Sequence, residues 1–183
     1  VPREKEWYYP VFLQRHLDHQ IPKRLFFNLF SIGSTKKMGI IKVQKAILIN
    51  KPLEEVYAFA VDYTQAHLWQ DGLVLYEKLS EGEVNVGTRF RQKYKEGIEL
   101  DIVVTALEHE KFYASTIEHK WTTCESTSEF KVHAPGVTMV KSNFNMKLKL
   151  SLLDAVSIII EPTVNKKQRI TLENLKKILE KNK

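Results

Sequence analysis

Residues 137–150 read Val-Thr-Met-Val-Lys-Ser-Asn-Phe-Asn-Met-Lys-Leu-Lys-Leu. Val140, Ser142, Phe144, Met146, Leu148 and Leu150 fall on alternate positions, and Lys141, Asn143, Asn145, Lys147 and Lys149 lie between them. A period of two places each set on its own face of a strand. One face is wet and the other must be covered, as in an antiparallel sheet with one solvated side. Residues 87–96 repeat the pattern, with Phe90, Gln92 and Tyr94 on one face and Arg89, Arg91, Lys93 and Lys95 on the other.

Working outward, turn signals at Glu81-Gly82, Glu96-Gly97, Glu110-Lys111 and Pro135-Gly136 separate six strand-like stretches: 73–80, 87–96, 99–109, 112–119, 124–134 and 137–150. A seventh, β-branched-rich strand covers 40–50. Pro52 then opens a helix, with Glu54 and Glu55 beside its positive dipole end. Val56, Phe59, Ala60 and Tyr63 follow helical spacing and define its buried face. A shorter helix is expected over 64–69. After residue 151 the pattern is helical again. Leu152 to Ile160 is apolar enough for deep packing, and Val164, Thr171 or Leu172, Leu175 and Leu179 continue the stripe. Pro162 is expected to end or kink that helix, because it lacks an N–H and clashes one turn back. Glu173 and Lys177 are spaced for an i, i+4 ion pair.

The expected fold class is therefore α+β: a strongly bent antiparallel sheet of about seven strands around one long C-terminal helix. Residues 38–183 form this domain, and residues 1–37 form a helical, aromatic-rich extension carrying Trp7, Tyr8, Tyr9, Phe12, Phe26, Phe27 and Phe30. Two short helices, about 11–20 and 22–31, are expected there, with Pro10 and Pro22 near their starts. A bent sheet around a single helix encloses space, and space that side chains do not fill becomes a ligand cavity.

Composition limits the alternatives. The 183 residues are 43% hydrophobic and 27% charged, with 7 Gly and 6 Pro, which suits a globular core rather than a disordered or low-complexity chain. The net charge of +6 is concentrated in residues 1–37 and 163–183, and the body between them is slightly acidic. The C-terminal lysines read as the solvated face of a helix, so no nucleic-acid partner is expected. One cysteine, Cys124, excludes an internal disulfide framework and suits a reducing, cytoplasmic setting. It reads as a small half-buried strand residue, since no base lies near it in sequence. No apolar run approaches the roughly 20 residues of a membrane span. Leu25-Phe26-Phe27 is interrupted by Asn28, so no secretory signal is expected.

Several stretches resemble the START-like, helix-grip (SRPBCC) superfamily, in particular its polyketide cyclase/dehydrase-like branch of small bacterial proteins. They are Ile49-Asn50-Lys51-Pro52-Leu53-Glu54-Glu55-Val56-Tyr57-Ala58-Phe59, Asp62 followed by Trp69, Val86-Gly87-Thr88-Arg89-Phe90, and Leu172-Glu173-Asn174-Leu175-Lys176-Lys177-Ile178-Leu179-Glu180. The resemblance covers residues 38–182 and leaves 1–37 outside it. It implies a pocket for a hydrophobic or amphipathic small molecule, such as a lipid, quinone or polyketide-like compound, without a resident cofactor. One fold hosts many functions, so the resemblance bears on architecture more than on chemistry.

The candidate ligand-binding residues are Trp69, Phe90, Gln92, Tyr94, Ser142, Phe144 and Met146. Gln92, Tyr94 and Ser142 are polar residues on otherwise apolar strand faces, and each needs a partner in protein, water or ligand. Phe90, Phe144, Met146 and Leu148 would supply apolar lining. A one-residue bulge would invert these assignments. Two roles fit Trp69, a ligand contact at the pocket mouth or a packing anchor between helix and sheet. Asp62 reads as a structural acid at the end of the helix.

His16 and His19 are spaced to share a metal, but spacing offers no third ligand, so none is expected. His67 could reach the pocket or lie on the surface, while His109 and His133 fall at exposed strand ends. No G-x-S-x-G, Walker A or G-x-G-x-x-G motif occurs.

Three functions remain open. The first is a binding module with an apolar lining and few inward ionisable groups. The second is an enzyme of the cyclase, dehydrase or isomerase type, which needs an inward acid or base; the registers turn Glu99, Asp101, Glu125 and Glu129 outward. The third is an interaction protein that meets a membrane surface or a protein partner through residues 1–37.

Overall fold

The computed structural model describes residues 39–119, 122–149 and 154–181. The expected helices at 11–20 and 22–31, and the deep packing of Leu152 to Ile160, fall on or partly on residues outside this description.

Seven strands form one sheet: β1 (Ile40–Ile49), β2 (Leu73–Lys78), β3 (Arg89–Tyr94), β4 (Glu99–Glu108), β5 (Phe112–Glu118), β6 (Thr122–Ala134) and β7 (Val137–Leu148). All neighbours are antiparallel, in the order β1-β7-β6-β5-β4-β3-β2. Between β1 and β2 lie α1 (Leu53–Val61) and the single turn α2 (Ala66–Trp69). The long helix α3 (Asp154–Lys181) follows β7.

The hairpins turn where expected. Gly97 and Gly136 take positive φ (80° and 70°), a region open to glycine without a side-chain clash. Glu110 adopts φ 58° in the β4–β5 turn despite its side chain. The register shifts at Leu73/Leu75, Val104/Ala106 and Val132/Ala134. None falls inside residues 89–93 or 138–148, so the alternation read there survives. Phe90 and Gln92 are buried on β3, and Val140, Ser142 and Leu148 on β7.

Pro162 does not end the terminal helix, which runs through it to Lys181. Pro162 is exposed, and on the solvent side water can take over the missing hydrogen bond. The expected Glu173–Lys177 pair is replaced by Arg169, whose Nη1 lies 3.0 Å from Glu173 Oε1, one turn toward the N-terminus.

The helix is fastened to β1 near its C-terminal end. Asn50 N–H donates to Glu180 Oε1 at 2.7 Å, and Lys176 Nζ donates to the Leu48 carbonyl at 2.5 Å. The backbone bond from Asn50 holds the Glu180 carboxyl below its usual range.

The core has two centres. Ile49, Val56, Phe130, Val140, Leu172, Leu175 and Leu179 join α1, α3 and the β1–β7–β6 side of the sheet, together with Tyr57. Tyr57 lies outside the stripe read from the sequence, yet it is buried, with its ring 5.2 Å from Phe130 in an edge-on contact. The second centre is Phe90, Ile102 and Val104 on β3 and β4. The wet face carries cross-strand ion pairs, including Arg91–Asp101, Lys93–Glu99, Lys141–Glu129 and Lys147–Glu125.

Candidate functional site

A cavity of about 210 Å³ lies between the sheet and α3. It draws lining from both core centres, Phe130, Val140, Leu172 and Leu175 from one and Phe90 and Ile102 from the other. Of the residues singled out in the sequence, Trp69, Phe90, Gln92, Tyr94, Ser142 and Phe144 all line it. Met146 stands outside the lining, one step further along the same face of β7, where it pairs with Ile41 and Cys124 across the sheet.

One wall is aromatic. The Phe90 ring centroid lies 5.0 Å from Tyr76 and 5.2 Å from Tyr63, and Tyr63 and Tyr76 are 6.3 Å apart. These are tilted and edge-on arrangements, which the ring quadrupoles favour. Tyr76 and Tyr113 share a hydrogen bond, and burial pushes both hydroxyls up, so both stay neutral.

A second polar chain starts at Tyr94. Its hydroxyl donates to Gln92 Oε1 at 2.8 Å, and Gln92 Nε2 donates to Gln70 Oε1 at 3.2 Å. Gln92 is therefore satisfied within the protein, as a buried amide requires.

Trp69 fills the packing role, against the Val140–Leu175 centre, and also borders the cavity. Its carbonyl accepts from Asn174 Nδ2 at 3.3 Å, and Asp71 N–H donates to Thr171 Oγ1 at 3.3 Å, so the end of α2 is tied to α3. Trp69 Nε1 is buried with no hydrogen-bond partner among the described residues.

The floor is more polar than the apolar lining expected. Ser115 on β5, Ser126 and Ser128 on β6, and Ser142 on β7 all line the cavity. The alternation on β6 turns Glu125, Thr127 and Glu129 outward and Ser126 and Ser128 inward, but a small polar inward face does not stand out as a buried one. Apolar periodicity is what marks a buried face, and serine does not carry that signal. The small serines also leave space that larger inward residues would fill.

Two charged side chains reach the lining, Asp71 and Lys167. Lys167 Nζ lies 5.4 Å from the centre of the Tyr94 ring and 3.6 Å from Glu96 Oε1. Neither was singled out beforehand, since both sit outside the alternating strands.

The remaining candidates sit elsewhere. Asp62 caps the end of α1, accepting from Thr64 Oγ1 at 2.6 Å, Thr64 N at 2.9 Å and Gln65 Nε2 at 2.8 Å. The Thr64 hydroxyl leads in holding its carboxyl below the usual range. His67 is exposed, its Nδ1 3.0 Å from the Thr64 carbonyl. His109 and His133 are exposed, as expected. Cys124 is buried rather than half-buried, and burial pushes its thiol up to about 11. Among the described residues no three His, Cys, Asp or Glu side chains gather as a metal site, and no described helix is long and apolar enough to cross a membrane.

No protein-family model matches the chain, and no curated protein matches it in sequence. Solved structures do match in shape. Ara h 8.0201 aligns at TM-score 0.60 and 15% identity, over 79% of this chain and 100% of its own. Norcoclaurine synthase from Thalictrum flavum, in complex with dopamine and hydroxybenzaldehyde, aligns at 0.61 and 13%, over 83% and 96%. TTHA0849 from Thermus thermophilus aligns at 0.63 and 16%, over 75% and 96%. These neighbours belong to the START/SRPBCC helix-grip superfamily, and at such identities the likeness is one of fold. With seven curved antiparallel strands gripping one long C-terminal helix, this chain has the helix-grip α+β fold of the Bet v 1-like proteins.

Proposed function

We propose that this protein binds a hydrophobic or amphipathic small molecule in the cavity between the sheet and α3. The observation that carries the reading is the cavity itself, a space of about 210 Å³ inside a domain that otherwise packs two dense cores. Interiors normally leave few voids larger than a water molecule. An apolar cavity of about 150 Å³ accepts benzene, so this volume suits one substituted ring better than a long-chain lipid. Trp69, Phe90, Gln92, Tyr94, Ser142 and Phe144 are the proposed contacts. The norcoclaurine synthase complex with dopamine and hydroxybenzaldehyde shares this fold, which supports a small-molecule ligand for this chain.

A second reading is turnover of such a ligand by cyclisation, dehydration or isomerisation. Lys167 and Asp71 at the lining are the observation in its favour, since acid–base work needs an ionisable group within reach of the substrate.

Native mass spectrometry of the purified protein, followed by organic extraction, tests binding. A reproducible small hydrophobic mass that leaves on extraction is expected. A clean unliganded mass, with no thermal shift against a library of substituted aromatics, would overturn the reading.

A further inference from the structure

The four inward serines form a continuous block rather than scattered substitutions. Ser115 faces Ser126 in the β5–β6 register, and Ser128 faces Ser142 in the β6–β7 register. Ser126 and Ser128 are next neighbours on one face of β6. Directly paired residues stand about 5 Å apart, and next neighbours on one face about 6.7 Å apart. The hydroxyls therefore step across three strands in the middle of the sheet, all on the cavity side.

Their hydrogen bonding is incomplete within the protein. Among the described residues the one bond from this block is Ser142 Oγ to Gln168 Oε1, at 3.4 Å, near the outer limit of such a bond. Ser142 is only 8% exposed. Ser115, Ser126 and Ser128 are half-buried, so their hydroxyls stay open to a cavity occupant, and central strand positions ordinarily go to β-branched or aromatic residues. Phe130, Val140, Phe144 and Ile117 surround the block with apolar surface. The charged lining residues, Asp71 and Lys167, come from outside these three strands, in the segment after α2 and on α3.

We infer that Ser115, Ser126, Ser128 and Ser142 form a polar subsite that selects a neutral, ring-sized ligand bearing two or more hydroxyl or carbonyl oxygens along one edge. The inference rests on the cavity being a ligand site. Each hydroxyl both donates and accepts, so it meets either oxygen type. An anionic group is disfavoured, because the one cation on the described lining, Lys167, already pairs with Glu96 at 3.6 Å and a further buried charge would lack a partner. The ring's face lies against the Phe90–Tyr76–Tyr63 wall, and its oxygenated edge follows the serines.

The test uses three probes of similar size: 5-propylresorcinol, propylbenzene and 3-phenylpropanoate. The two oxygens of the resorcinol sit about as far apart as neighbouring strands. Affinities are measured by calorimetry on the full chain and on the S126A/S128A variant, with circular dichroism and Tm as folding controls. Wild type is expected to bind propylresorcinol at least about tenfold tighter than propylbenzene, the gain from one or two well-placed hydrogen bonds. The carboxylate is expected to bind weakest. The double variant should lose the preference for propylresorcinol over propylbenzene. Equal binding of propylresorcinol and propylbenzene to wild type, or a preference unchanged in the variant, overturns the subsite while leaving the cavity a binding site. Failure of all three probes to bind overturns both.

Discussion

The Tyr94 hydroxyl and the Gln92 carboxamide, two residues apart on the inward face of β3, are joined at 2.8 Å, and Gln92 passes the chain on to Gln70 at 3.2 Å. Gln92 is 5% exposed, so its amide has no bulk water to fall back on. The strand and α2 are thereby linked through one side chain.

Replacing Gln92 with leucine keeps the volume roughly constant and removes both bonds. The Tyr94 hydroxyl then loses its bond to Gln92, and Gln70 Oε1 loses the bond it accepts from Gln92. Chemical denaturation should show a loss of about 1–3 kcal/mol, the scale of two lost side-chain hydrogen bonds. A neutral or stabilised variant would show that the chain contributes nothing to the fold.

Leu175 is 1% exposed, belongs to the core and also borders the cavity. Leu175→Ala should destabilise the protein by about 2–5 kcal/mol, through lost burial and a larger void. The same change should raise affinity for ligands bulkier than the wild type accepts. Denaturation curves and a size-graded alkylbenzene series read the two effects separately.

Cys124 is the single thiol in the chain, so any thiol signal reports on it. Burial pushes its pKa up to about 11, from the 9.0 of an exposed thiol. At pH 8 the native thiolate fraction is then far below that of an unfolded chain, and access is restricted as well. Reaction with a coloured disulfide reagent should be slow in buffer and fast in guanidinium. The raised pKa also means that this group's stabilisation is complete below pH 9 and declines as pH rises from 9 toward 11. Fast labelling of the native protein would contradict the burial.

Asp62 works in the opposite direction. Its folded pKa lies below the unfolded value, chiefly because of the Thr64 hydroxyl, so its contribution is present above about pH 4 and is lost as pH falls through the lower folded value. Asp62→Ala should lose about 1 kcal/mol at pH 7, the scale of a helix-end hydrogen-bond cluster. The gap between variant and wild type should close in urea melts below about pH 4. A pH-independent gap would point to packing rather than charge.

The amino-acid pattern by itself determined the sheet, its inward face on β3 and β7, and the long covering helix. Alternation in 89–94 and 137–148 is strong because apolar and charged residues take turns there, and a face that is half apolar has few ways to be buried. That alternation puts Phe90, Gln92, Tyr94, Ser142 and Phe144 at the cavity, and it also points to Met146, which lies on the same face beyond the lining. It did not place Ser115, Ser126 and Ser128, because small polar residues facing inward carry no apolar signal. Nor did it place Lys167 and Asp71, which reach the cavity only when α3 crosses the sheet beside α2. Pro162 likewise reads as a break in one dimension, yet the helix continues through it on the solvent side. Tertiary structure decided these points, since strand register and helix docking are set by the sum of all the buried contacts and no short window contains that sum.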